Sequence, residues 1–559
     1  MALNRNYLLS LMYLAIVRVA LLSAENIPCN LREYQHGFVC VCNKTNCDFL
    51  EESVDNPNES ELVIVSSSQA GLRFDVSKFT WPSESSEVNI RDYAVKPEPQ
   101  VLLMSEKAQN YNWASNLFGI FAKNDASVSV DLSKKYQKVV GFGGAFTGSV
   151  AHNLDQISQE LQDFLYRSYY SSAGIGYNFM RIPIGGCDFD LEAWAYNEVP
   201  QNDAKLTNFT ELDARDLRFI DKLRQLQSAS QNSNIKIMAS AWSPPPWMKS
   251  NNKWSGASSL KKQYYQTWAD YHLRYIELMS RNGVDLWGIT TGNEPMNGVI
   301  GFLFVHFMSL GWTAGAQGSW VADHLGPTVK NSPYSDVKIF AGDDQRYTFP
   351  WWFNEMKTSR PNVMDYVDGF AVHWYWDRFV PAAVLDSASD KFPEKLIINT
   401  ESCIGDKPLQ THGPILGSWD RAEEYILAYI EDLQHSVNGW IDWNLLLNED
   451  GGPNYVSNHV ESAVIVNKTS DEAYKQPLFY AIGHFSRFIP EGSVRVLVTS
   501  TDSQVHCVGF ERADSKIVVI MYNKRKNPVK MTLNVPSRTP VNLSIPAKSI
   551  HSVIFTKTQ

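Results

Sequence analysis

Eight short apolar segments recur through the middle of the chain, and each is followed by a longer polar or amphipathic stretch. Near-continuous apolar runs are typical of strands that are buried on both faces of a parallel sheet. We predict strands at Lys138–Ala145, Tyr177–Ile184, Ile235–Trp242, Asp285–Glu294, Val337–Asp344, Asp368–Tyr375, Leu396–Ser402 and Gly439–Leu447. Eight strands that alternate with helices predict an α/β fold, a (β/α)8 barrel.

The two ends of the chain have a different pattern. Residues 60–105 and 494–556 contain short β-rich runs between turn residues, such as Leu62–Ser66, Lys516–Tyr522 and Ser549–Phe555. Short strands at this spacing are typical of an all-β sandwich or barrel. We therefore predict an all-β sandwich domain that both chain ends build together.

The first 24 residues have the features of a secretory signal peptide. Arg5 gives a basic start, Tyr7–Val17 is almost entirely apolar, and the small residue Ala24 ends the segment. Arg18 interrupts the apolar run, which makes a membrane span less favoured. A retained N-terminal anchor is the alternative.

The cysteines agree with an oxidising compartment. Four of the seven lie within 19 residues, at Cys29, Cys40, Cys42 and Cys47. This cluster favours two disulfides, for which three pairings are possible. A zinc site is the alternative, although Cys40 and Cys42 are too close for the usual two-residue spacer.

Five Asn-X-Ser/Thr sequons fit the same route. They begin at Asn43, Asn58, Asn208, Asn467 and Asn542. Each is a candidate glycosylation site in a secreted chain, although the motif alone is weak.

The charge balance limits the classes of partner. The chain has 50 basic and 60 acidic side chains, a formal net charge of −10. Removal of the signal would take away Arg5 and Arg18 and no acid, which gives −12. Such a chain is a poor nucleic-acid binder, because phosphate contacts need clustered Lys and Arg.

Chemistry-bearing residues follow the predicted strands. In a (β/α)8 barrel, functional residues lie at the carboxyl ends of the strands, so these side chains should meet on one rim. They are Arg181, Asp188, Phe189, Trp242, Asn293, Glu294, Asp343, Asp344, His373, Tyr375, Glu401, Cys403, Trp443 and Asn444. The Asp343-Asp344 pair could hold a hard cation, but a hydrogen-bonding role is favoured.

Two carboxylates stand out, Glu294 after the fourth strand and Glu401 after the seventh. Glycoside hydrolysis needs such a pair, in which one carboxylic acid protonates the leaving oxygen and the other carboxylate attacks carbon or activates water. The ordinary alternative for a single Glu is a solvated or ion-paired surface residue. That alternative weakens when both follow apolar strands on one rim.

Several motifs together resemble glycoside hydrolase family 30, over nearly the whole chain after the signal. They are Gly141-Phe142-Gly143-Gly144-Ala145, Arg181-Ile182-Pro183, Asn293-Glu294-Pro295, His373-Trp374-Tyr375, Gly439-Trp440-Ile441-Asp442-Trp443-Asn444 and Phe488-Ile489-Pro490-Glu491-Gly492-Ser493. The N-terminal cysteine cluster is similar as well. The family pairing would join Cys29 to Cys40 and Cys42 to Cys47.

The resemblance implies roles for individual residues. Glu294 would be the acid/base and Glu401 the nucleophile of a retaining double displacement. The glucose-binding residues would be Asp188, Phe189, Trp242, Asn293, Trp443 and Asn454, with Asn293 on the 2-hydroxyl. Arg181, His373 and Tyr375 would orient the nucleophile or support the site. No metal or other cofactor is expected.

The resemblance also implies a substrate and a location. The expected reaction is hydrolysis of glucosylceramide to glucose and ceramide, a step of sphingolipid catabolism in the lysosome. A saposin-type activator and an anionic lipid surface are the expected partners, with peripheral membrane contact only. Secretion is the alternative to lysosomal delivery.

The loop Val299–Trp312 departs from the family pattern. It is two residues longer than usual, and Phe302, Phe304 and Phe307 add apolar bulk near the expected aglycone entrance. This departure favours, as an alternative, a secreted or digestive exo-β-glycosidase that acts on other β-glucosides. A non-catalytic paralogue that binds glycans or a partner is a third hypothesis. A polymer-degrading endo-enzyme is less favoured, because Asp188 and the tryptophans would close the glucose subsite.

The predicted organisation has four parts. They are residues 1–24 as the signal, 25–55 with about 444–474 as a small disulfide-bonded β subdomain, 56–110 with 490–559 as the sandwich, and 111–443 with 475–489 as the catalytic barrel.

Overall fold

A computed structural model describes residues 26–82, 87–90, 126–301, 305–405 and 410–558. The predicted signal peptide, Phe302 and Phe304 lie outside these residues. Two compact units are present: the chain up to Ser53 joins Tyr136–Ser493 in one, and Val54–Lys135 joins Val494–Gln559 in the other. Among the described helices, none has the length and apolar character needed to cross a bilayer.

The described strands are short and are numbered here in chain order. They are β1 (Leu31–Tyr34), β2 (Gly37–Asn43), β3 (Glu61–Ser68), β4 (Asp75–Thr80), β5 (Glu87–Asn89), β6 (Ala126–Lys138), β7 (Gly141–Ala145), β8 (Phe179–Pro183), β9 (Lys236–Ser240), β10 (Gly288–Thr290), β11 (Lys338–Gln345), β12 (Gly369–His373), β13 (Leu396–Glu401), β14 (Gly439–Asp442), β15 (Leu446–Asn448), β16 (Val464–Asn467), β17 (Glu472–Lys475), β18 (Val494–Ser500), β19 (Val505–Glu511), β20 (Lys516–Asn523), β21 (Val529–Asn534), β22 (Val541–Ile545) and β23 (Ser549–Thr556).

The α-helices of the described residues lie mainly between the barrel strands. They are Gly148–Leu154, Gln159–Tyr170, Ala214–Ser230, Tyr265–Arg281, Ala314–Trp320, Gly326–Lys330, Trp351–Ser359, Ala383–Lys391, Trp419–Gln434 and Pro477–Ser486.

Strands β7 to β14 close into a parallel barrel, in which β14 pairs with β7. This confirms the predicted (β/α)8 barrel, and each of the eight predicted strands contributes. Phe179, Met238, Phe340 and Ile441 belong to the apolar cluster contributed by these strands. Continuous apolar runs arise because both faces of each strand are covered, by this core and by the surrounding helices.

Most predicted strands extend beyond the observed ones, and two of them run across a break in the backbone. The structure ends β6 at Lys138 and begins β7 at Gly141, whose φ of 143° breaks the run. It also separates β14 from β15 by Asn444, whose φ is 62°. A positive φ turns the chain without any change in hydrophobicity, so the apolar pattern did not register either break.

The second unit is a ten-stranded sheet in the order β4-β3-β23-β20-β19-β18-β6-β21-β22-β5. One apolar cluster contains side chains from both chain ends, among them Leu62, Val519 and Val553. The predicted limits differ here, because β6 lies within the range 111–443 that we gave to the barrel. Its Ala126 pairs instead with Met531 of β21, and its buried side chains alternate as a strand with one covered face requires.

A five-stranded sheet in the order β1-β2-β17-β16-β15 belongs to the first unit. Disulfides join Cys29 to Cys40 and Cys42 to Cys47, which are the pairs that the family resemblance implies. The sulfur atoms are therefore engaged with each other, which removes the zinc alternative. The remaining cysteines, at positions 187, 403 and 507, form no disulfide and are buried.

Candidate active site

The candidate catalytic residues meet at the carboxyl ends of the barrel strands. Arg181 lies on β8, Glu401 is the last residue of β13, and Glu294 follows β10. Parallel strands in a barrel bring their carboxyl ends to one rim, which is where such enzymes carry their sites.

Glu294 lies in an unusual stretch of backbone. Its φ of 44° is left-handed, and a 3₁₀ turn, Pro295–Gly298, begins directly after it. Its amide N donates to the carbonyl oxygen of Asp343 at 2.8 Å. Left-handed backbone at a non-glycine residue is uncommon and is concentrated at functional sites.

The two carboxylates face each other. A carboxylate oxygen of Glu294, one of Glu401 and a ring nitrogen of His373 all lie within 4.8 Å of one another. Glu294 is 8% exposed and Glu401 is 6% exposed. Two carboxylates this close in a buried site do not both ionise easily, so one of them tends to keep a proton.

Glu401 is held by a cation and a phenol. Arg181 Nη1 donates to its Oε2 at 2.6 Å, and Tyr375 Oη donates to its Oε1 at 2.8 Å. Burial raises the pKa of the Glu401 carboxyl, and the charges of His373 and Arg181 oppose this. The pair of contacts fixes the direction of both carboxylate oxygens.

Glu294 is held by amides and by an imidazole. Its Oε1 accepts from Gln345 Nε2 at 2.7 Å and from His373 Nδ1 at 3.0 Å. Its Oε2 accepts from Asn297 Nδ2. The contacts to Gln345 and Asn297 carry no net charge.

Asp343 joins these two arrangements beneath the rim and has no solvent exposure. Its donors are Arg181, Ser240, Thr290, His373 and Thr400. Burial alone would raise the pKa of Asp343, but Arg181 and His373 hold it well below its usual range. These contacts agree with the favoured hydrogen-bonding role rather than a cation site.

His373 bridges Asp343 and Glu294 through its two ring nitrogens. Burial lowers its pKa, but Glu401, Asp343 and Glu294 together raise it to about 10. The imidazole is therefore a cation at neutral and acidic pH, and each nitrogen donates to a carboxylate.

Aromatic side chains form the wall beside Glu401. The rings of Trp242 and Trp443 stack with centroids 5.4 Å apart, and Phe189 meets Trp443 edge-on at 5.8 Å. The Arg181 guanidinium lies over Trp242, 4.9 Å from the ring centroid. Such faces match the apolar face of a pyranose ring.

Asp188 and Asn293 complete the predicted glucose contacts on this side. Asp188 is buried, and burial together with Glu401 and Glu294 raises its pKa to about 8. Asn293 Oδ1 accepts from Arg181 Nη2 at 2.8 Å.

Asn454 is placed differently from the other predicted contacts. Its side chain bonds within its own loop, to backbone groups of Val456 and Asn458. The side chain of Asn458, rather than that of Asn454, reaches Asp188, at 3.4 Å.

Comparison with known proteins decides the family. The description "Glycosyl hydrolase family 30 TIM-barrel domain" matches residues 139–489, and "Glycosyl hydrolase family 30 beta sandwich domain" matches residues 492–553. The chain belongs to glycoside hydrolase family 30. It is therefore a glycoside hydrolase, as predicted.

Relatives of this family 30 enzyme cover most of its length. Lysosomal acid glucosylceramidase of Mus musculus is 40% identical over 430 residues, 76% of this chain and 82% of that protein. Putative glucosylceramidase 3 of Caenorhabditis elegans is 34% identical over 543 residues, 95% of this chain and 96% of that protein. The crystal structure of SrfJ from Salmonella typhimurium shares the fold, with a TM-score of 0.74 and 22% identity over 89% of this chain and all of that chain.

The described part of the loop Val299–Trp312 lies against the aromatic wall. Met308 is fully buried in one cluster with Phe189, Trp242 and Trp443, and Phe307 packs on that cluster. Lys249 Nζ donates to the Ser309 carbonyl oxygen at 2.6 Å. The predicted apolar bulk of this loop is thus seen at Phe307.

Four residues near the carboxylates were missed by sequence reasoning: Asn297, Gln345, Tyr347 and Asn458. Tyr347 Oη donates to Asp344 Oδ1 at 3.1 Å, and its ring meets that of Trp376 with centroids 6.2 Å apart. Gln345 ends β11, so the strand-end rule could have found it. Asn297 and Asn458 had no such signal, because neither lies at the end of a barrel strand.

Proposed function

We propose that this glycoside hydrolase is a retaining β-glucosidase that hydrolyses glucosylceramide to glucose and ceramide. The observation that carries the proposal is the approach of Glu294 and Glu401, with carboxylate oxygens within 4.8 Å. Carboxyl groups are about 5–5.5 Å apart in retaining enzymes and about 6.5–9.5 Å apart in inverting ones, which need room for a water.

In the first step, Glu401 attacks the anomeric carbon while Glu294 donates its proton to the glycosidic oxygen. The C–O bond to the aglycone breaks, ceramide leaves as the alcohol, and a glucosyl ester of Glu401 forms. Arg181 and Tyr375 hold the attacking carboxylate at 2.6 and 2.8 Å, so little reorientation is needed.

In the second step, Glu294 takes a proton from water, whose oxygen attacks the anomeric carbon. The ester bond to Glu401 breaks, and glucose leaves with the β configuration retained. His373 carries a positive charge beside both carboxylates, which compensates for the negative charge that moves between them.

The buried end of the site suits one terminal glucose. Asp188 and Asn293 would bind sugar hydroxyls, with Asn293 on the 2-hydroxyl, and Trp242 and Trp443 would form the wall. Asn454 would reach a hydroxyl only through the second hydrogen of its Nδ2, because its other contacts lie within its own loop. Asp188 and both tryptophans are at most 5% exposed, and in this proposal they close the subsite beyond the terminal sugar. An exo mode of action follows.

Exposed apolar side chains on the same rim support a lipid substrate. Leu191, Ile300, Trp376 and Phe379 follow strands β8, β10 and β12 and are 51–65% exposed. Apolar side chains of this kind insert into a membrane interface. We propose an anionic lipid surface and a saposin-type activator as partners, with delivery to the lysosome, because the mouse relative is a lysosomal glucosylceramidase.

One observation favours a second candidate, an exo-β-glycosidase that acts on other β-glucosides and is secreted. The rings of Tyr347 and Trp376 lie on the Glu294 side, where the leaving group departs. Two aromatic rings there also suit a flat aryl or sugar aglycone.

The test uses fluorescent glucosylceramide, presented with anionic lipid and activator, beside a soluble aryl β-glucoside at acidic pH. Hydrolysis of both, with β-glucose as the first anomer seen by NMR, is the expected result. Cleavage of only the soluble glucoside would favour the second candidate. Initial release of α-glucose would contradict the retaining mechanism.

A further inference from the structure

Asn297 is a third donor to Glu294, the proposed acid/base, and no role has yet been given to it. Asn297 Nδ2 donates to Oε2 of Glu294, the oxygen that neither Gln345 nor His373 touches. Because Oε1 already accepts two hydrogen bonds, its lone pairs are occupied. The proton of the acid form therefore resides on Oε2.

The main chain fixes the position of the Asn297 amide. Asn297 lies in the 3₁₀ turn Pro295–Gly298, and its own N–H donates to the Glu294 carbonyl oxygen at 2.9 Å. A second hydrogen bond holds the same turn, because Met296 N donates to Asp344 Oδ2 at 2.8 Å. Behind the amide, a Cβ added to Gly301 would lie 3.0 Å from Asn297 Oδ1. The amide thus lies between Glu294 and Gly301, where the absence of a side chain leaves room for it.

We propose that Asn297 is a positioning residue, whose amide fixes Oε2 of Glu294 as the oxygen that protonates the leaving group. The inference rests on the role given to Glu294 under the proposed function. The Asn297 N–H occupies one lone pair of Oε2, and the transferred proton uses the other. As the glycosidic C–O bond breaks, that proton moves from Oε2 to the departing oxygen.

The test compares leaving groups that need different amounts of protonation. Octyl β-glucoside needs an acid, whereas 2,4-dinitrophenyl β-glucoside has a leaving group that departs as an anion. We expect Asn297→Ala to lower kcat/KM for octyl β-glucoside by about tenfold and to change the dinitrophenyl value by less than about twofold. The ratio kcat/KM is used because it reports the first, bond-breaking step.

The matched control is Asn354→Ala. Asn354 is a half-buried asparagine on the helix Trp351–Ser359, outside the carboxylate contacts. We expect no change with either substrate. An equal loss of kcat/KM on both substrates for Asn297→Ala, or no loss on either, would overturn the inference.

A second variant of nearly the same shape allows the inference to be tested even if Asn297→Ala folds poorly. Asn297→Asp places a carboxylate beside Oε2, which disfavours loss of the Glu294 proton. We expect the alkaline limb of the kcat/KM profile to move to higher pH. The titratable groups already facing Glu294 are His373, Asp344, Glu401, Asp188 and Tyr347. An unmoved limb would contradict the inference.

Different results would contradict the proposed function and the role of Asn297. If the wild-type enzyme hydrolyses none of the glucosides, the proposed function is wrong. If the wild type is active and Glu294→Gln shows the dependence on leaving group, but Asn297→Ala does not and Asn297→Asp leaves the alkaline limb unmoved, only the role of Asn297 is wrong.

Discussion

Glu401 and Glu294 lie within reach of each other, but the fold holds them in opposite ways. Glu401 ends a regular strand and is bound by Arg181 and Tyr375. Glu294 lies in left-handed backbone beyond its strand and is bound by two amides and His373. Arg181 is always charged, so it favours a carboxylate that stays ionised. Two of the three donors to Glu294 are neutral amides, and the third, the His373 imidazolium, is shared with Asp343. This weaker set of donors suits a carboxyl group that must gain and lose a proton.

The largest expected effect comes from removal of the carboxylate that Arg181 binds. Glu401→Gln should lower kcat/KM by on the order of 10⁴-fold or more, because no nucleophile remains. The loss should be equally severe for octyl and dinitrophenyl β-glucosides, measured side by side. Substantial hydrolysis by this variant would remove Glu401 from the mechanism.

Glu294→Gln should give the contrasting pattern on the amide side. We expect a loss of about 10²–10⁴-fold in kcat/KM on octyl β-glucoside, because protonation of the leaving group is lost. The dinitrophenyl substrate should lose much less. Equal losses on both substrates would mean that the two carboxylates are not specialised as proposed.

Arg181→Lys tests how Glu401 is held. Lysine keeps the charge but lacks the planar fork that reaches Glu401, Asn293 and Asp343 together. We expect kcat to fall by about 10- to 100-fold through misplacement of the nucleophile. Arg215→Lys is the control, since Arg215 pairs with exposed Glu192 and should tolerate the change. Unchanged kcat for Arg181→Lys would show that charge alone is sufficient.

The smallest expected effect is on stability and concerns Asp188, because burial, together with Glu401 and Glu294, raises its pKa to about 8. Between about pH 4 and 8, the unfolded state ionises this group while the native state keeps it protonated, so stability falls as pH rises. Asp188→Asn removes that penalty. The unfolding midpoint should rise by about 2 °C at pH 7.5 and stay unchanged at pH 4.

The control for this shift is Asp221→Asn, at an exposed carboxylate on the helix Ala214–Ser230. We expect its unfolding midpoint to equal that of the wild type at both pH values. A pH-independent gain for Asp188→Asn would point to an effect other than proton linkage.

Much of the fold could be predicted because it depends on local patterns. Buried parallel strands leave apolar runs that are visible in the sequence, and all eight were found. The strand ends were predicted too far out, most of all at β10, and two breaks were missed where one residue changes the direction of the backbone, at Gly141 and Asn444. Strand β6 was missed as part of the sandwich, because its partner β21 is about 400 positions away along the chain.

Most residues of the candidate site could also be predicted, but not all of their contacts. The strand-end rule and the family motifs named Glu294, Glu401, Arg181 and His373, all of which the structure brings together. Neither the strand-end rule nor the family motifs predicted that Asn297 would bind Glu294. An asparagine three residues beyond a glutamate has no distinctive pattern unless the turn between them is known.

By itself, then, the sequence determined the kind of elements and the residue types at the strand ends, because these follow from local hydrophobic period and composition. Only the tertiary structure decided which donor meets which carboxylate oxygen. Arg181 and Glu401 are 220 positions apart, and Gln345 is 51 positions from Glu294. Barrel closure and left-handed backbone at Glu294 set those contacts, and contacts of a few ångströms between distant positions leave no periodic signal in the chain.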